Sequence, residues 1–171
     1  NGGQINIPGG TTLRVVNGYL NIDNPANITG SMLTSNITYI SHPTFDNITI
    51  DSDKKTCFKN GFTIANGKTL TLNSPITVFG NVNLETNSVL TLNGSLTFAD
   101  ELTLNNNCTI DGNSKTINME NDITISGTVT FPTDTIIDLH GHTLTLNGGQ
   151  INIPGGTTLR VVNGYLNIDN P

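Results

Sequence analysis

Tryptophan is absent from this chain of 171 residues, and aromatic residues of all kinds make up only 5% of it. Aromatic platforms that could hold a sugar ring are therefore lacking. Basic residues are also few, with seven Lys and Arg against thirteen Asp and Glu, and the net charge is −6. Such a balance argues against nucleic acid or an anionic membrane surface as a partner. No apolar run approaches the length of a membrane span.

Good helix formers are scarce as well, since Ala, Glu, Lys, Arg and Gln are all uncommon. By contrast, Asn and Thr together supply 53 residues and Gly another 18. Thr favours strands, while Asn and Gly favour turns. The composition therefore predicts an all-β protein with many short strands.

One stretch of 25 residues occurs twice, letter for letter, at 1–25 and at 147–171. Selection on the fold alone would not preserve it so strictly, because cores tolerate conservative substitutions. The offset of 146 residues predicts a tandem array of near-identical repeats. We therefore interpret 1–171 as a single segment made of one full repeat, 1–146, and the beginning of the next, 147–171.

Short units of the form apolar–x–apolar recur from Phe62 onward, separated by only three to six residues. Each unit predicts a strand with its outer residues in the core and its middle residue outside. Taking every third unit gives three series of starting positions: 62, 82, 102, 123, 144 and 166; 70, 90, 108, 129 and 151; and 76, 96, 117, 137 and 159.

Steps of about 21 residues with three short strands per turn predict a parallel β-solenoid of about eight coils. The variable gaps between units favour the right-handed β-helix. By this count one repeat measures seven coils, or roughly 34 Å along the axis. Before Phe62 the pattern is less regular, and we fit 20–62 as two coils with outward loops at 41–47 and 51–55.

Stacking predicts columns of outward side chains. The first column is Asn21, Thr38, Thr63, Asn83, Thr103, Thr124, Thr145 and Asn167, and the second is Thr49, Thr71, Thr91, Thr109, Thr130 and Asn152. We interpret the threonines as ordinary strand residues rather than as an ice-binding array. The third column brings Asp138 and Arg160 onto adjacent coils, which predicts a surface ion pair.

Other side chains are placed by the same register. Asparagines that directly follow a closing Leu could stack into a hydrogen-bonded ladder; they are Asn73, Asn93, Asn105 and Asn147. Cys57 and Cys108 form neither a disulfide framework nor a metal-ligand spacing. We expect both to point inward as small apolar residues, in different columns.

Four carboxylates form the strongest candidate for chemistry: Asp100, Glu101, Glu120 and Asp122. Glu101 and Asp122 each precede a first-series strand by one residue, so we expect them to stack with the other two beside them. Carboxylates this close would need screening, protonation or a bridging cation such as Ca²⁺. The alternative is a solvated acidic corner with its side chains splayed apart. The sequence leaves both open, although no calcium-loop motif is present.

His140-Gly141-His142 lies beside Asp138 and could suggest a metal site, but no third ligand is evident, and we interpret it as a turn. No nucleophile motif, phosphate loop or Ser/His/Asp arrangement is present. We therefore assign no catalytic, cofactor-binding or metal-binding residue, expect no cofactor and predict that the chain is not an enzyme.

The units LTLNG (90–94 and 144–148), ITISG (123–127) and LTFAD (96–100) resemble the right-handed parallel β-helix repeats of secreted bacterial adhesins and autotransporter passengers. The resemblance covers most of the chain and implies an extracellular or cell-surface location, with a role in adhesion, display or fibre formation. Likeness of fold alone does not fix which of these roles applies.

We expect a non-catalytic filament or surface stalk, extended by further copies of the same repeat, with lateral filament contacts or a host or cell surface as additional partners. Two other functions are kept. One is an adhesin that binds its ligand through loops within 41–55. The other is a polysaccharide lyase or hydrolase, for which the acidic corner lacks a neighbouring Arg, Lys or Tyr.

Overall fold

The computed structural model describes residues 42–52 and 56–169, with side chains for 42–50 and 57–169, and before residue 42 the backbone of six strands. All regular structure in this part of the chain is β-strand. In chain order the strands are β1 (Ile5–Asn6), β2 (Thr12–Val15), β3 (Leu20–Ile22), β4 (Ile28–Thr29), β5 (Ser31–Thr34), β6 (Ile37–Tyr39), β7 (Thr44–Phe45), β8 (Ile48–Ser52), β9 (Thr56–Phe58), β10 (Phe62–Ile64), β11 (Thr69–Leu72), β12 (Ile76–Val78), β13 (Val82–Leu84), β14 (Val89–Leu92), β15 (Leu96–Phe98), β16 (Leu102–Leu104), β17 (Cys108–Asp111), β18 (Thr116–Met119), β19 (Ile123–Ile125), β20 (Thr128–Thr130), β21 (Thr135–Asp138), β22 (Thr143–Leu146), β23 (Gln150–Asn152), β24 (Leu159–Val162) and β25 (Tyr165–Ile168).

Every paired strand runs parallel to the third strand before or after it, which confirms the predicted parallel β-solenoid. The second face is one sheet in the order β2-β5-β8-β11-β14-β17-β20-β23, and the third face is β3-β6-β9-β12-β15-β18-β21-β24. The first face is divided into the sheets β1-β4, β7-β10-β13 and β16-β19-β22-β25. About six coils of roughly 21 residues lie in 42–169, and the first six strands add the backbone of two more.

Alternation along each strand builds one continuous core. On β14, for example, Leu90 and Leu92 are fully buried, whereas Thr91 between them is half-exposed. Over the residues whose side chains are described, the core runs from Phe45 to Leu144 and consists mostly of stacked Leu, Ile, Val and Phe side chains. Phe45, Phe58 and Phe62 pack together near its beginning, with ring centroids 5.0 to 5.9 Å apart. Apolar burial of this kind is the main force holding the coils together.

The three series of strands are confirmed, but two junctions are shifted by two residues. At the first junction, Leu90 pairs with Ile110 rather than with Cys108, and Thr91 lies opposite Asp111 rather than Thr109. At the second junction, Ile137 pairs with Val161 rather than with Leu159. A shift of two keeps every side chain on its own side of the sheet, so the apolar pattern does not detect it.

The fit of 20–62 as two coils is wrong by one strand. The expected loop at 41–47 contains β7, in which Thr44 pairs with Thr63 and the buried Phe45 pairs with Ile64. In the other expected loop, β8 continues to Ser52, and 53–55 lie outside the described residues. A strand with a single apolar residue between Pro43 and Asp46 gives no apolar–x–apolar signal.

The additional strand moves the early residues to another face. Asn21 and Thr38 pair with each other, and Thr38 pairs with Cys57, on the third face rather than in the first column. The step from β1 to β23 is 22 strands, which at three per coil is seven coils and one strand. The predicted period of seven whole coils is therefore corrected to seven and one third, about 35 Å along the axis.

Candidate functional site: a polar seam and an open coil

The acidic corner lies where the third face passes into the first. Leu102 pairs with Ile123, so Glu101 and Asp122, one residue before each, are on successive coils as expected. The carboxylates of the corner do not converge on one point. Asp100 accepts a hydrogen bond from the backbone N–H of Gly80 on the preceding coil at 2.6 Å, and Asp122 accepts one from Thr143 on the following coil at 2.9 Å. The carboxylates are therefore divided between different coils.

Histidines on the next coil meet two of these carboxylates. His140 Nδ1 lies 2.9 Å from Glu120 Oε1, and its Nε2 lies 3.4 Å from Asp138 Oδ2. His142 Nδ1 lies 3.7 Å from Asp122 Oδ1. Both ring nitrogens of His140 thus face carboxylate oxygens.

A tight turn presents the two histidines, as the sequence predicts. The N–H of His142 donates to the carbonyl oxygen of Leu139 at 2.7 Å, and both central residues of the turn have positive φ, 46° at His140 and 95° at Gly141. Glycine adopts such a φ freely, and histidine tolerates it better than most residues. The turn directs His140 and His142 back toward Glu120 and Asp122 on the coil before.

Asp138 is the most strongly held carboxylate of the group. Asn163 Nδ2, on the following coil, lies 3.1 Å from each carboxylate oxygen, and the N–H of His140 donates to Oδ1 at 3.2 Å. The hydrogen bonds from Asn163 above all, with those from His140 and the charge of its ring, lower the pKa of Asp138 against the opposing effect of desolvation. Asp138 is thereby favoured in its charged form.

We call this set of side chains the acid–histidine seam: Asp100, Glu120, Asp122, Asp138, His140, His142 and Asn163. It links the coil of Gly80 to that of Asp100, and it links the coil of Glu120 and Asp122 to the two coils that follow. In the part of the chain that the structure describes, no three His, Cys, Asp or Glu side chains are grouped to hold a metal ion. What the geometry supplies is a vertical series of charge-assisted bonds between coils.

The predicted ion pair between Asp138 and Arg160 is not formed. Arg160 pairs with Ile136, and Asp138 lies opposite Val162, two residues farther along the strand. Asp138 instead contacts the side chains of Asn163 and His140. Sequence reasoning missed the contacts of the two histidines with Glu120 and Asp122, yet a signal was present: His140 follows Glu120 by one coil length, and His142 follows Asp122 by the same interval.

An asparagine ladder runs along another corner, where the second face ends. Asn93 Nδ2 donates to Asn73 Oδ1 at 2.8 Å, and Asn113 Nδ2 donates to Asn93 Oδ1 at 2.8 Å. This confirms the ladder at Asn73 and Asn93. The two other expected members, Asn105 and Asn147, follow first-face strands and lie at a different corner, so the third member is Asn113.

The two cysteines face opposite sides of the wall, which corrects the expectation that both point inward. Cys57 lies opposite the outward Thr77 and is half-buried, whereas Cys108 is an inward residue of the core. Burial raises the pKa of the Cys108 thiol to about 11. Desolvation also raises the pKa of Cys57, although Lys59 lowers it in part. Both thiols are free.

The last described coil, β23–β25, opens the core to solvent. Four of its apolar side chains are exposed, namely Ile153 at 43%, Tyr165 at 70%, Leu166 at 57% and Ile168 at 49%. A cleft of about 550 Å³ lies among Leu146, Ile151 and Ile168. Among the described residues, no further strand pairs with the outer edge of this coil.

No helix in the described residues has the length and apolar character that crossing a membrane requires. Comparisons with protein families, with curated proteins and with solved structures found no match to this chain.

Proposed function

We propose that this protein is a non-catalytic structural filament or surface stalk, formed by tandem copies of the repeat 1–146 that continue one β-solenoid. We further propose that it lies outside the cell or on its surface, in agreement with its resemblance to β-helix repeats of secreted adhesins. The partners of each copy are then the copies before and after it.

One observation carries this proposal: the junction between two repeats is continuous. The first copy ends at Leu146, the last residue of β22, and the second begins at Asn147. Strands β23, β24 and β25 of the second copy pair in parallel with β20, β21 and β22 of the first. The start of one repeat therefore stacks on the end of the preceding repeat without a change of fold, as in other solenoid arrays.

The side chains support a role along the axis. The acid–histidine seam and the asparagine ladder both connect one coil to the next. A lyase or hydrolase has less support, because Asp100 and Asp122 are occupied by backbone N–H groups of neighbouring coils. An adhesin that binds through loops within 41–55 also has less support, since β7 and β8 take up much of that segment.

Chains of one, two and three repeats, each ending with residues 147–171, test the proposal by electron microscopy and small-angle scattering. Each added repeat should lengthen a straight rod by about 35 Å. A matched control inserts a flexible Gly/Ser linker between Leu146 and Asn147, which should produce hinged particles. Globular particles, or hinging without the linker, would contradict the filament. Antibody labelling of intact cells tests the surface location separately.

A further inference from the structure

The duplicated stretch, 1–25 and 147–171, occurs in two structural situations, and the comparison identifies a docking surface. In the first copy, β1, β2 and β3 are each paired with a strand of the following coil, namely β4, β5 and β6. In the second copy, β23, β24 and β25 pair with the preceding coil, and among the described residues no strand lies on their other edge. One sequence is thus seen both covered and uncovered.

The uncovered coil has the chemistry of a core surface rather than of an outer surface. Leu166 pairs with Leu144, and the two occupy equivalent inward positions, yet Leu166 is 57% exposed and Leu144 is fully buried. Ile151, Leu159 and Val161 are only partly buried against the core. An occupant must therefore supply apolar side chains at the same inward positions and backbone groups for three parallel strands.

Resting on the function proposed above, we propose that β23–β25 is the docking surface for a segment with the sequence of 26–39, supplied by the continuation of the second copy of the repeat. The register is that of the first copy, where Ile5 pairs with Ile28, Leu13 with Met32 and Leu20 with Ile37. Carried over to the second copy, this register places the equivalent of Ile28 on Ile151, the equivalent of Met32 on Leu159 and the equivalent of Ile37 on Leu166.

The strand count adds a rotation to this contact. Because equivalent positions are 22 strands apart, β1 lies on the first face and β23 on the second. Each copy is therefore displaced by one face, or one third of a turn, relative to the copy before it. The acid–histidine seam would occupy each of the three corners in turn, and the surface would repeat in full only after three copies, about 106 Å along the axis.

The register is tested by appending residues 26–41 to the 171-residue chain after Pro171. In a background with Cys57→Ala and Cys108→Ala, one variant carries Asn152→Cys together with Thr29→Cys in the appended segment, because Asn6 pairs with Thr29 in the first copy. Paired residues on neighbouring parallel strands lie about 4.8 Å apart, which is close enough for a disulfide. A disulfide is expected with this pair and not when Thr34→Cys replaces Thr29→Cys in the appended segment. In the chain with the appended segment, backbone amides of 150–168 should exchange about tenfold more slowly than in the chain without it.

The matched control appends the same residues in scrambled order and should leave exchange in 150–168 unchanged. The proposal is overturned if the scrambled segment protects equally, if the disulfide forms at appended position 34 instead, or if the appended segment remains unfolded on a folded chain. If the disulfide and protection appear while multi-repeat chains fail to form rods, the filament is wrong and the docking surface stands. Rods with another register would overturn the docking alone.

The rotation of one third of a turn between successive copies can be measured separately. A three-repeat chain with Cys57→Ala and Cys108→Ala in every copy is labelled with gold at an Asn121→Cys substitution in each copy, an exposed residue of the acidic corner. Electron microscopy should show three labels spaced by about 35 Å and advancing by one third of a turn each time. Labels aligned along one side of the rod would overturn the rotation.

Discussion

Leu144 and Leu166 are the same residue type, are paired in register on the first face and occupy equivalent inward positions. Leu144 is nevertheless fully buried, and Leu166 is 57% exposed. Among the residues that the structure describes, Leu144 is paired on both sides, with Ile123 and Leu166, whereas Leu166 is paired only with Leu144 on the preceding coil. In this fold the strand pattern decides which way a side chain points, but the next coil decides whether it is buried.

Polar residues show the same contrast between inner coils and the last coil. Asn93, in an inner coil, joins Asn73 on one side to Asn113 on the other. Asn167, in the last coil, turns to Asp169 only two residues away. Contacts between coils are therefore what distinguish the interior of the solenoid, and substitutions matched between the two regions measure them.

The largest expected effect comes from the buried leucine. Leu144→Ala removes a fully buried side chain and leaves a cavity, so we expect a loss of about 2–5 kcal/mol in the free energy of unfolding. Leu166→Ala should cost less than about 1 kcal/mol, because more than half of that side chain is already in water. Urea unfolding of both variants checks the difference, and equal losses would show that the last coil is as well packed as its neighbour.

A glycine pair gives the next largest effect. A Cβ at Gly94 would overlap the carbonyl group of Ser74 on the preceding coil, whereas a Cβ at Gly155, in the last coil, meets nothing within 4 Å. We expect Gly94→Ala to cost about 1–3 kcal/mol or more, since backbone must move. Gly155→Ala should stay within about 0.5 kcal/mol of the parent. Thermal unfolding measures both, and a tolerated Gly94→Ala would contradict the close stacking of these corners.

The asparagine ladder should give a smaller difference. Asn93→Ala removes the middle member and leaves Asn73 and Asn113 without their shared partner, which we expect to cost about 1 kcal/mol. Asn167→Ala breaks only the local bond to Asp169 and should change stability by less than about 0.5 kcal/mol. If denaturant unfolding finds the two variants alike, the ladder contributes nothing beyond a local hydrogen bond.

Much of this architecture could be predicted from the sequence, because the alternation along each strand and the regular recurrence of the coils both leave clear patterns. Two kinds of feature could not be predicted in this way. β7 has only one inward apolar residue, Phe45, and so resembles a loop. The two-residue shifts at β17 and β24 preserve inward and outward directions, so only the backbone pairing reveals them.

The polar contacts divide in a similar way. The interval of one coil would have paired Glu120 with His140 and Asp122 with His142, had it been applied to side chains outside the strands. The pairing of Asp138 with Asn163 spans a longer interval and depends on the longer turn before β24, so no fixed interval predicts it. Ion pairs inferred from an ideal register, such as Asp138 with Arg160, fail when that register shifts.

The smallest effect expected concerns the bond by which the last coil holds Asp138. Asn163 has a φ of 56°, so Asn163→Gly removes its amide without straining the backbone. The pKa of Asp138, lowered in the parent chiefly by Asn163, should then rise toward its ordinary value. Carboxyl titration by NMR measures it, and Asn147→Gly, at an exposed turn, serves as the control.

The direction of the pH dependence follows from the sign of that shift. Because the pKa of Asp138 is lowered in the folded chain, its contribution to stability is present above the pKa of the unfolded chain, about 3.9, and is lost as the pH falls through the lower folded value. Asp138→Asn and Asn163→Gly should each lose less stability than the parent on acidification through this range. An unchanged pKa in Asn163→Gly would mean that the His140 side of the seam holds Asp138 by itself, and that the last coil adds no electrostatic contact to the coil beneath it.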